Sequence, residues 1–314
     1  MKLFLGVDGG QSSTTALIGD EDGRVLGTGR AGPCNHAGSA GGHARFVGAV
    51  GESVRSALEH VGLKEAAFEA ACCGFSGGPA DKDAMTRELV TASQYLITHD
   101  AWIALAGATA GEPGVIAIAG TGSIAFGRNR DDRTARAGGW GYAFGDEGGA
   151  FDVVRQALRA VLRHEEGWGS PTVLRDLLLT ASGASDANDL LHRCYTDEFT
   201  RERVAAFAPL VDQAATSGDV IAQDILKSAA QAIAMLVAAV RRQLFLPEET
   251  VLVSYAGGVF QSGVVTERFR MLVELEEANR TAEPRYAPAA GALLEAYRIA
   301  GHQKSSIWGS PSEV

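Results

Sequence analysis

Three short segments of the 314-residue chain combine glycine with hydroxyl or carboxyl side chains. They are residues 8–14 (DGGQSST), 120–123 (GTGS) and 138–149 (GGWGYAFGDEGG). Glycine lets a backbone reach φ > 0 and approach a ligand closely, and successive N–H groups in such turns bind anions. Serine and threonine hydroxyls can also hold phosphate oxygens. The first two segments therefore predict phosphate-binding turns.

The first segment places a carboxylate, Asp8, beside two glycines and a run of hydroxyls. Apolar residues on either side predict strands at 2–7 and 15–19. A carboxylate in such a loop can hold Mg²⁺ directly or through water. An ordinary hairpin turn with polar tips is the alternative, and the loop alone does not decide between them.

The third segment sets Trp140, Asp146 and Glu147 among glycines. An aromatic face beside carboxylates suits a sugar or another polyol better than a bare phosphate, because a sugar offers both C–H faces and hydroxyls. The alternative for Trp140 is a buried core indole, since tryptophan is usually well buried.

Two polar side chains follow predicted strands, Ser76 after residues 68–75 and Asp100 after residues 93–98. Ligands of open α/β sheets bind beyond the carboxyl ends of the strands, so both side chains are expected at one crevice. Asp100 could be the general base that takes a proton from an attacking hydroxyl. Position alone favours the N-cap of the following helix, but the neighbouring glycine–hydroxyl loops favour the catalytic role.

Length and periodicity predict an α/β chain of two domains, since single cores rarely grow beyond about 300 residues. A strand, a glycine–hydroxyl turn and a second strand occur at 2–18 and again at 115–126, which indicates two similar halves.

The chain then becomes mostly helical. A last strand is predicted at 285–287 and a loose tail at 301–314. Helical spacing is found at 150–165, 172–179, 187–195, 201–217 and 219–245.

The net charge of −10 argues against nonspecific nucleic-acid binding. No signal peptide is predicted, and the longest apolar helical run, 232–240, is far shorter than the ~20 residues of a membrane span. We therefore expect a cytoplasmic protein without a membrane partner. The four cysteines have no metal-ligand spacing and are predicted to be buried or idle thiols.

Four motifs together resemble a known superfamily. GVDGGQSSTTALI resembles the first phosphate motif of the sugar kinase, heat-shock ATPase and actin superfamily, IAGTGSIAFG its second phosphate motif, and LVSYAGGVF its adenosine motif. GGWGYAFGDEGGA is similar to the signature of the N-acetylglucosamine kinase-like group, which is allied to the BadF/BadG/BcrA/BcrD ATPases. Single glycine turns are weak signals, but four motifs in order over about residues 2–300 are specific.

The resemblance implies two RNase H-like (actin-like ATPase) domains around a hinged cleft. The expected domains are 1–114 and 115–288, with the C-terminal helix, 289–300, packed back on the first. It implies an ATP-dependent kinase that uses Mg²⁺ and phosphorylates an amino sugar. The expected substrate is N-acetyl-D-glucosamine, and the expected acceptor is its O6 hydroxyl. Glucosamine, N-acetylmannosamine and N-acetylmuramic acid remain alternatives, and a homodimer is expected.

A BadF-type activator ATPase is the competing function class. It would need an iron–sulfur cluster held by a spaced set of thiolates. Here Cys72 and Cys73 lie inside a predicted strand, and the central segment contains no cysteine. The sequence therefore favours the kinase.

The resemblance also implies roles for individual residues. Asp8 would lie near the Mg²⁺, and Asp100 would be the base on the sugar hydroxyl. Nucleotide contacts are expected at Gly9, Gly10, Ser12, Thr121, Gly122, Gly257 and Gly258. Sugar contacts are expected at Asn35, Ser76, Gly77, Asp100, Ser123, Gly139, Trp140, Gly141 and Asp146.

Overall fold

The computed structural model of the chain describes residues 1–34, 41–276, 278–302, 304 and 306–309. The chain forms two compact units. Unit 1 comprises Met1–Gly114 and Glu283–Val314, and unit 2 comprises Val115–Ala282. The chain thus leaves unit 1 once and returns to it after unit 2 is complete.

In its described part, unit 1 is built on a six-stranded sheet in the order β11-β3-β2-β1-β4-β5. Strands β1, β2 and β3 form antiparallel neighbours, whereas β4 and β5 run parallel to β1. The carboxyl ends of β1, β4 and β5 therefore lie at one edge. The elements are β1 (Leu3–Gly9), β2 (Thr14–Asp20), β3 (Arg24–Ala31), α1 (Gly42–His60), β4 (Phe68–Phe75), α2 (Asp83–Leu89), β5 (Ala92–His99), α3 (Asp100–Ala108), α11 (Pro288–Ile299) and β11 (Trp308–Gly309).

Strand β1 is apolar on both faces because helices cover both sides of the sheet. Its Leu5 and Val7 pack in a cluster with residues of α1, and its Phe4 packs in another with residues of α11. At Gly6 a Cβ atom would lie 2.3 Å from the backbone nitrogen of Leu293 in α11. The missing side chain at Gly6 therefore lets α11 lie directly on the strand.

The end of the chain differs from the expectation of a loose tail. Ile307 is buried, and Trp308–Gly309 pairs in parallel with β3. The Trp308 N–H donates to the carbonyl of Gly23 at 3.0 Å. A two-residue strand is too short to leave a period in the sequence, which is why the prediction is wrong for these residues.

Unit 2 is built on a five-stranded sheet in its described part, in the order β10-β9-β6-β7-β8. This is the order of β5-β4-β1-β2-β3 in unit 1, so the repeated strand–turn–strand pattern corresponds to a repeated sheet. The elements are β6 (Gly114–Ala119), β7 (Ser123–Arg128), β8 (Thr134–Gly138), α4 (Ala150–Glu165), α5 (Leu174–Ser182), α6 (Ala187–Arg193), α7 (Arg201–Ala205), α8 (Ala208–Thr216), α9 (Val220–Leu244), β9 (Val251–Ala256), a 3₁₀ turn (Gly258–Gln261), α10 (Gly263–Glu274) and β10 (Asn279–Ala282).

The last strand of this sheet is β10, not residues 285–287, so that prediction is wrong. Arg241 is buried and donates from Nε to the side-chain oxygen of Asn279 at 2.9 Å, which fixes the start of β10 beside β9. The N–H groups of Arg285 and Tyr286 instead donate to the carbonyls of Ala108 and Gly107. A polar strand anchored by a distant arginine has no local sequence signal.

Helix α9 (Val220–Leu244) agrees with the helical spacing at 219–245, but its apolar part is longer than the expected run 232–240. It has 25 residues, and within the described part of the chain it alone is long and apolar enough to cross a membrane by length and composition. Core helices of globular domains can have the same length and apolar composition. Leu226, Ile233 and Val237 of α9 pack in the main cluster of unit 2 with residues of β6 and β9.

Candidate functional site

Three polar side chains lie at the carboxyl edge of the unit 1 sheet. Asp8 is near the end of β1, Ser76 directly follows β4, and Asp100 directly follows β5. The Ser76 N–H donates to the carbonyl of Gly9 at 3.0 Å, and the Ser76 hydroxyl lies close enough to the Asp100 carboxylate to lower its pKa. The structure therefore brings these three residues together, as parallel strand ends should.

Asp100 is the first residue of α3 rather than its cap. The cap is His99, whose Nδ1 accepts from the N–H of Trp102 at 3.3 Å. One oxygen of Asp100 accepts from the N–H of Ala101 at 2.9 Å. The N-cap interpretation of Asp100 is therefore wrong, and its carboxylate is not needed to begin the helix.

Asp8 and Asp100 form a pair of poorly hydrated carboxylates. Burial and, to a smaller extent, the negative charge of Asp100 together raise the pKa of Asp8 to about 7. Burial also raises the pKa of Asp100, against the opposing effects of the Ala101 N–H, His99 and the Ser76 hydroxyl. Within the part of the chain that the structure describes, neither carboxylate is in an ion pair with Lys or Arg, and carboxylate oxygens are the ligands Mg²⁺ prefers. The site therefore fits a hard divalent cation at Asp8.

The raised pKa of Asp8 predicts a pH-dependent stability for the metal-free protein. A carboxyl group whose pKa is higher when folded favours folding at low pH, and this contribution is lost as pH rises from 3.8 to about 7. Asp8→Asn mimics the protonated form. Between pH 5 and 7 we expect the free energy of unfolding of Asp8→Asn to gain roughly 2–3 kcal/mol relative to wild type.

Denaturant unfolding in EDTA at pH 5, 6, 7 and 8 measures this difference. Glu88→Gln, which neutralises an exposed carboxylate of α2, is the matched control and should show no trend with pH. A difference between Asp8→Asn and wild type that stays constant over this range would contradict the expectation.

The turn after Asp8 is closed by its own backbone. The Gly10 N–H donates to the carbonyl of Ser13 at 2.9 Å, and Ser12 is exposed. At Gly9 a Cβ atom would lie 2.4 Å from the Phe75 ring and 2.6 Å from the Cys34 sulfur. Gly9 must therefore be glycine for the turn to pack on β4.

The turn after β4 contains a residue that the sequence analysis missed. Lys82 is buried and donates from Nζ to the carbonyl of Gly78 at 3.0 Å and to Asp81 at 2.7 Å. Gly77, with φ of +79°, lies in the same turn and is exposed. Lys82 thus fixes the backbone that follows Ser76. Asn35 lies outside the described residues.

In unit 2 the Gly120–Thr121–Gly122 turn is packed on both sides. Ala150 N–H donates to the Gly120 carbonyl at 2.8 Å. A Cβ at Gly122 would lie 2.4 Å from the Asp146 carboxylate, and one at Gly149 would lie 2.7 Å from the Gly122 Cα. The turn therefore depends on glycine where these segments cross.

The segment 145–149 is held by several polar contacts. The Ser123 hydroxyl donates to the carbonyl of Glu147 at 2.6 Å, and the Gly148 N–H donates to Asp152 at 3.0 Å. Asp146 is buried with φ of +62°, and Nη2 of Arg201 donates to its carboxylate at 2.5 Å. Two predicted sugar contacts, Ser123 and Asp146, thus have protein partners already.

The preceding residues of this segment are exposed. Trp140 is 66% exposed, and the guanidinium of Arg136 lies 4.6 Å from the centre of its ring. The core interpretation of Trp140 is therefore wrong. Gly139 and Gly141 flank it with φ of +70° and +84°. Phe144, at 89% exposed, continues the aromatic surface.

A cavity of about 500 Å³ opens beside the Gly120–Thr121–Gly122 turn within unit 2. The predicted residues Thr121 and Gly258 line it, and Gly257 adjoins it with φ of +106°. Its other wall comes from α7, α8 and Ala206, which lies between these two helices. Sequence analysis missed this wall because these residues carry only a helical period; among them are Glu202, Ala206, Pro209 and Asp212.

The four cysteines are free thiols. Cys34, Cys72 and Cys73 are buried, and Cys194 is half-buried. Among the described residues, no group of three or more His, Cys, Asp or Glu side chains could hold a metal ion.

The model of the BadF/BadG/BcrA/BcrD ATPase family matches residues 5–296 of this chain. The chain belongs to this family. Membership of an ATPase family assigns ATP use to the chain, in agreement with the cavity and the glycine turns of unit 2.

Three similar proteins match this chain over most of its length. An N-acetylmuramic acid/N-acetylglucosamine kinase of Clostridium acetobutylicum is 32% identical over 281 residues, which is 88% of this chain and 91% of that protein. An N-acetyl-D-glucosamine kinase of Dictyostelium discoideum is 29% identical over 93% of this chain and 98% of that protein. A solved structure of a candidate N-acetylglucosamine kinase from Chromobacterium violaceum has a TM-score of 0.76 at 26% identity, covering 94% and 98% of the two chains. The actin-like, two-unit α/β fold expected from the sequence is thus confirmed.

Proposed function

We propose that the chain is an ATP-dependent N-acetyl-D-glucosamine kinase that forms N-acetylglucosamine 6-phosphate. The observation that carries the proposal is the Asp100 carboxylate, which lies at a strand end beside Ser76 and has a raised pKa. The names of the relatives, two of them N-acetylglucosamine kinases, support the same substrate class.

Unit 1 supplies the base in this mechanism. Asp100 accepts the proton of the sugar O6 hydroxyl as that oxygen forms a bond to the γ-phosphorus of ATP and the bond to the β-phosphate oxygen breaks. The products are the sugar 6-phosphate and ADP, and the proton is held by Asp100 until it is released to solvent. A carboxylate with a raised pKa is a stronger base, and a positioned base contributes roughly 10²–10⁴ to the rate.

Unit 2 holds the nucleotide. The cavity of about 500 Å³ would take the adenosine, with Gly257 and Gly258 on one side and Glu202 and Asp212 as acceptors for ribose hydroxyls or the adenine amino group. Thr121 and Gly122 would hold phosphate oxygens through N–H and hydroxyl groups. Gly9, Gly10 and Ser12 would do the same in the turn of unit 1. This positioning is most of what phosphoryl transfer requires of a protein.

Asp8 would hold the Mg²⁺ that accompanies ATP. The fit is supported by the shortage of positive charge at Asp8 and Asp100 and by the hard oxygen ligands they offer. When bound, the ion neutralises charge on the phosphate oxygens. The residue's own part is to remain ionised, which a nearby cation favours by lowering its pKa.

The proposed sugar contacts are those that the sequence resemblance implies. Ser76, Gly77 and Trp140 are open to a ligand, and Trp140 offers an aromatic face to the C–H groups of a sugar ring. Gly139 and Gly141 would let that face approach closely. Asn35, Ser123 and Asp146 complete the proposed set. The proposal keeps the cytoplasmic location and the homodimer that the sequence analysis expects.

A coupled assay of ADP formation tests the function. With ATP and Mg²⁺, we expect N-acetylglucosamine to give a higher kcat/KM than glucosamine, N-acetylmannosamine or N-acetylmuramic acid, and EDTA to abolish turnover. The phosphorylated position is identified by ³¹P-coupled NMR of the product. Asp100→Asn, prepared in parallel, controls for contaminating kinases. Sugar-independent ATP hydrolysis without any sugar phosphate would overturn the proposal.

A further inference from the structure

One arginine of unit 2 touches three parts of the proposed site at once. Arg201 is the first residue of α7, and its neighbour Glu202 lines the cavity, as does Ala205 one turn later. The side chain of Arg201 is 27% exposed. Arg201 therefore begins the helix that forms part of the cavity wall.

The guanidinium of Arg201 joins the nucleotide turn to the proposed sugar segment. Its Nη2 donates to the Asp146 carboxylate at 2.5 Å and would lie 2.7 Å from a Cβ at Gly122. The guanidinium carbon is 5.5 Å from the ring centre of Tyr142. Its Nε is buried and has no hydrogen-bond partner among the described residues. One side chain therefore contacts the phosphate turn, the carboxylate and an aromatic residue of the exposed segment.

The conformation of Asp146 explains why this contact matters. Its φ of +62° is unusual for a residue with a side chain, and such conformations persist only where the surroundings over-determine them. Asp146 is also buried, and a buried carboxylate that loses its cationic partner is strongly disfavoured. Arg201 supplies both the charge and the fixed geometry, so Asp146 depends on the position of α7.

We propose that Arg201 is a positioning residue that couples nucleotide binding in the unit 2 cavity to amino-sugar binding at Asp146. The inference rests on the proposed function. A nucleotide that packs on α7 restricts Arg201 and hence orients Asp146 for the sugar. By linkage, the sugar must tighten nucleotide binding by the same factor.

Calorimetric titration of N-acetylglucosamine, with and without saturating ADP, measures the coupling. In wild type we expect ADP to lower the Kd of the sugar about 5- to 20-fold, within the range of measured coupling energies. In Arg201→Ala the ratio should fall below about twofold. The matched control is Arg203→Ala, which removes an exposed arginine paired with Glu198 two residues further along α7, and it should keep the wild-type ratio.

Each result decides a separate point. A wild-type ratio in Arg201→Ala overturns the inference, as does weaker sugar binding with an unchanged ratio, since that indicates a purely structural role. If Arg201→Ala does not fold, Arg201→Lys keeps the charge without the planar fork and should still reduce the ratio. A wild-type protein that phosphorylates the sugar but shows no coupling refutes the inference alone. A wild-type protein that neither binds nor phosphorylates any amino sugar refutes the proposed function.

Discussion

Asp100→Asn is expected to lower kcat for N-acetylglucosamine by about 10²–10⁴ while leaving the KM of the sugar within about threefold. The substitution keeps the size of the side chain and an oxygen that can accept from the Ala101 N–H, so α3 should begin as before. What is lost is the ability to take the proton of the attacking hydroxyl. The expected loss therefore appears in kcat and not in folding.

Steady-state kinetics at saturating ATP and Mg²⁺ measure this effect, with circular dichroism and a thermal melt to show that the fold is intact. Glu88→Gln, an exposed carboxylate of α2, should retain wild-type kcat. If Asp100→Asn kept more than about a tenth of the wild-type kcat, the carboxylate would not be the base, given the usual size of this contribution.

Gly257→Ala is expected to destabilise the protein by about 3 kcal/mol or more. Gly257 has φ of +106°, which side chains rarely adopt, and its Cβ would lie 2.3 Å from the carbonyl oxygen of Ala119 in β6. Neither the strain nor the overlap can be relieved by turning a flexible side chain, because the obstacle is backbone. The turn that follows β9 would have to move, and the cavity wall at Gly258 would move with it.

The neighbouring glycine provides the control. Gly258 lines the cavity, but a Cβ there meets nothing within 4 Å, and its φ is not positive. The free energy of unfolding of Gly258→Ala should therefore lie within about 1 kcal/mol of the wild-type value, as is usual for substitutions at exposed positions. Urea unfolding of both variants compares them directly. If both variants lost the same free energy of unfolding, the positive φ and the close approach to Ala119 would not be what makes Gly257 necessary.

The fold could be predicted from local patterns to a large extent. Strand β1 is apolar on both faces and α9 has a clear helical stripe, so burial alone marks them as core elements. The glycine turns could be located because glycine is needed where backbone crosses backbone, as at Gly122 and Gly149. The agreement is closest where local composition and packing demand the same residue.

Other features depend on contacts that no local pattern records. Strand β10 is fixed by Arg241, which is 38 residues away in the chain, and β11 is only two residues long. Lys82 and Arg201 are of residue types that usually lie on the surface. Only the folded structure shows that Lys82 is buried and that Arg201 pairs with Asp146. A carboxylate such as Asp146 can be found from its motif, but its partner cannot.

The two sheets share one strand order, yet the connections between equivalent strands differ greatly. Strands β3 and β4 are joined by α1, whereas β8 and β9 are joined by residues 139–250, which contain α4 to α9. The helical wall of the cavity, including Glu202 and Asp212, belongs to this insertion and not to the shared strands. In the proposed function, recognition of adenosine therefore draws on the insertion, whereas the phosphate contacts belong to turns of the shared strands.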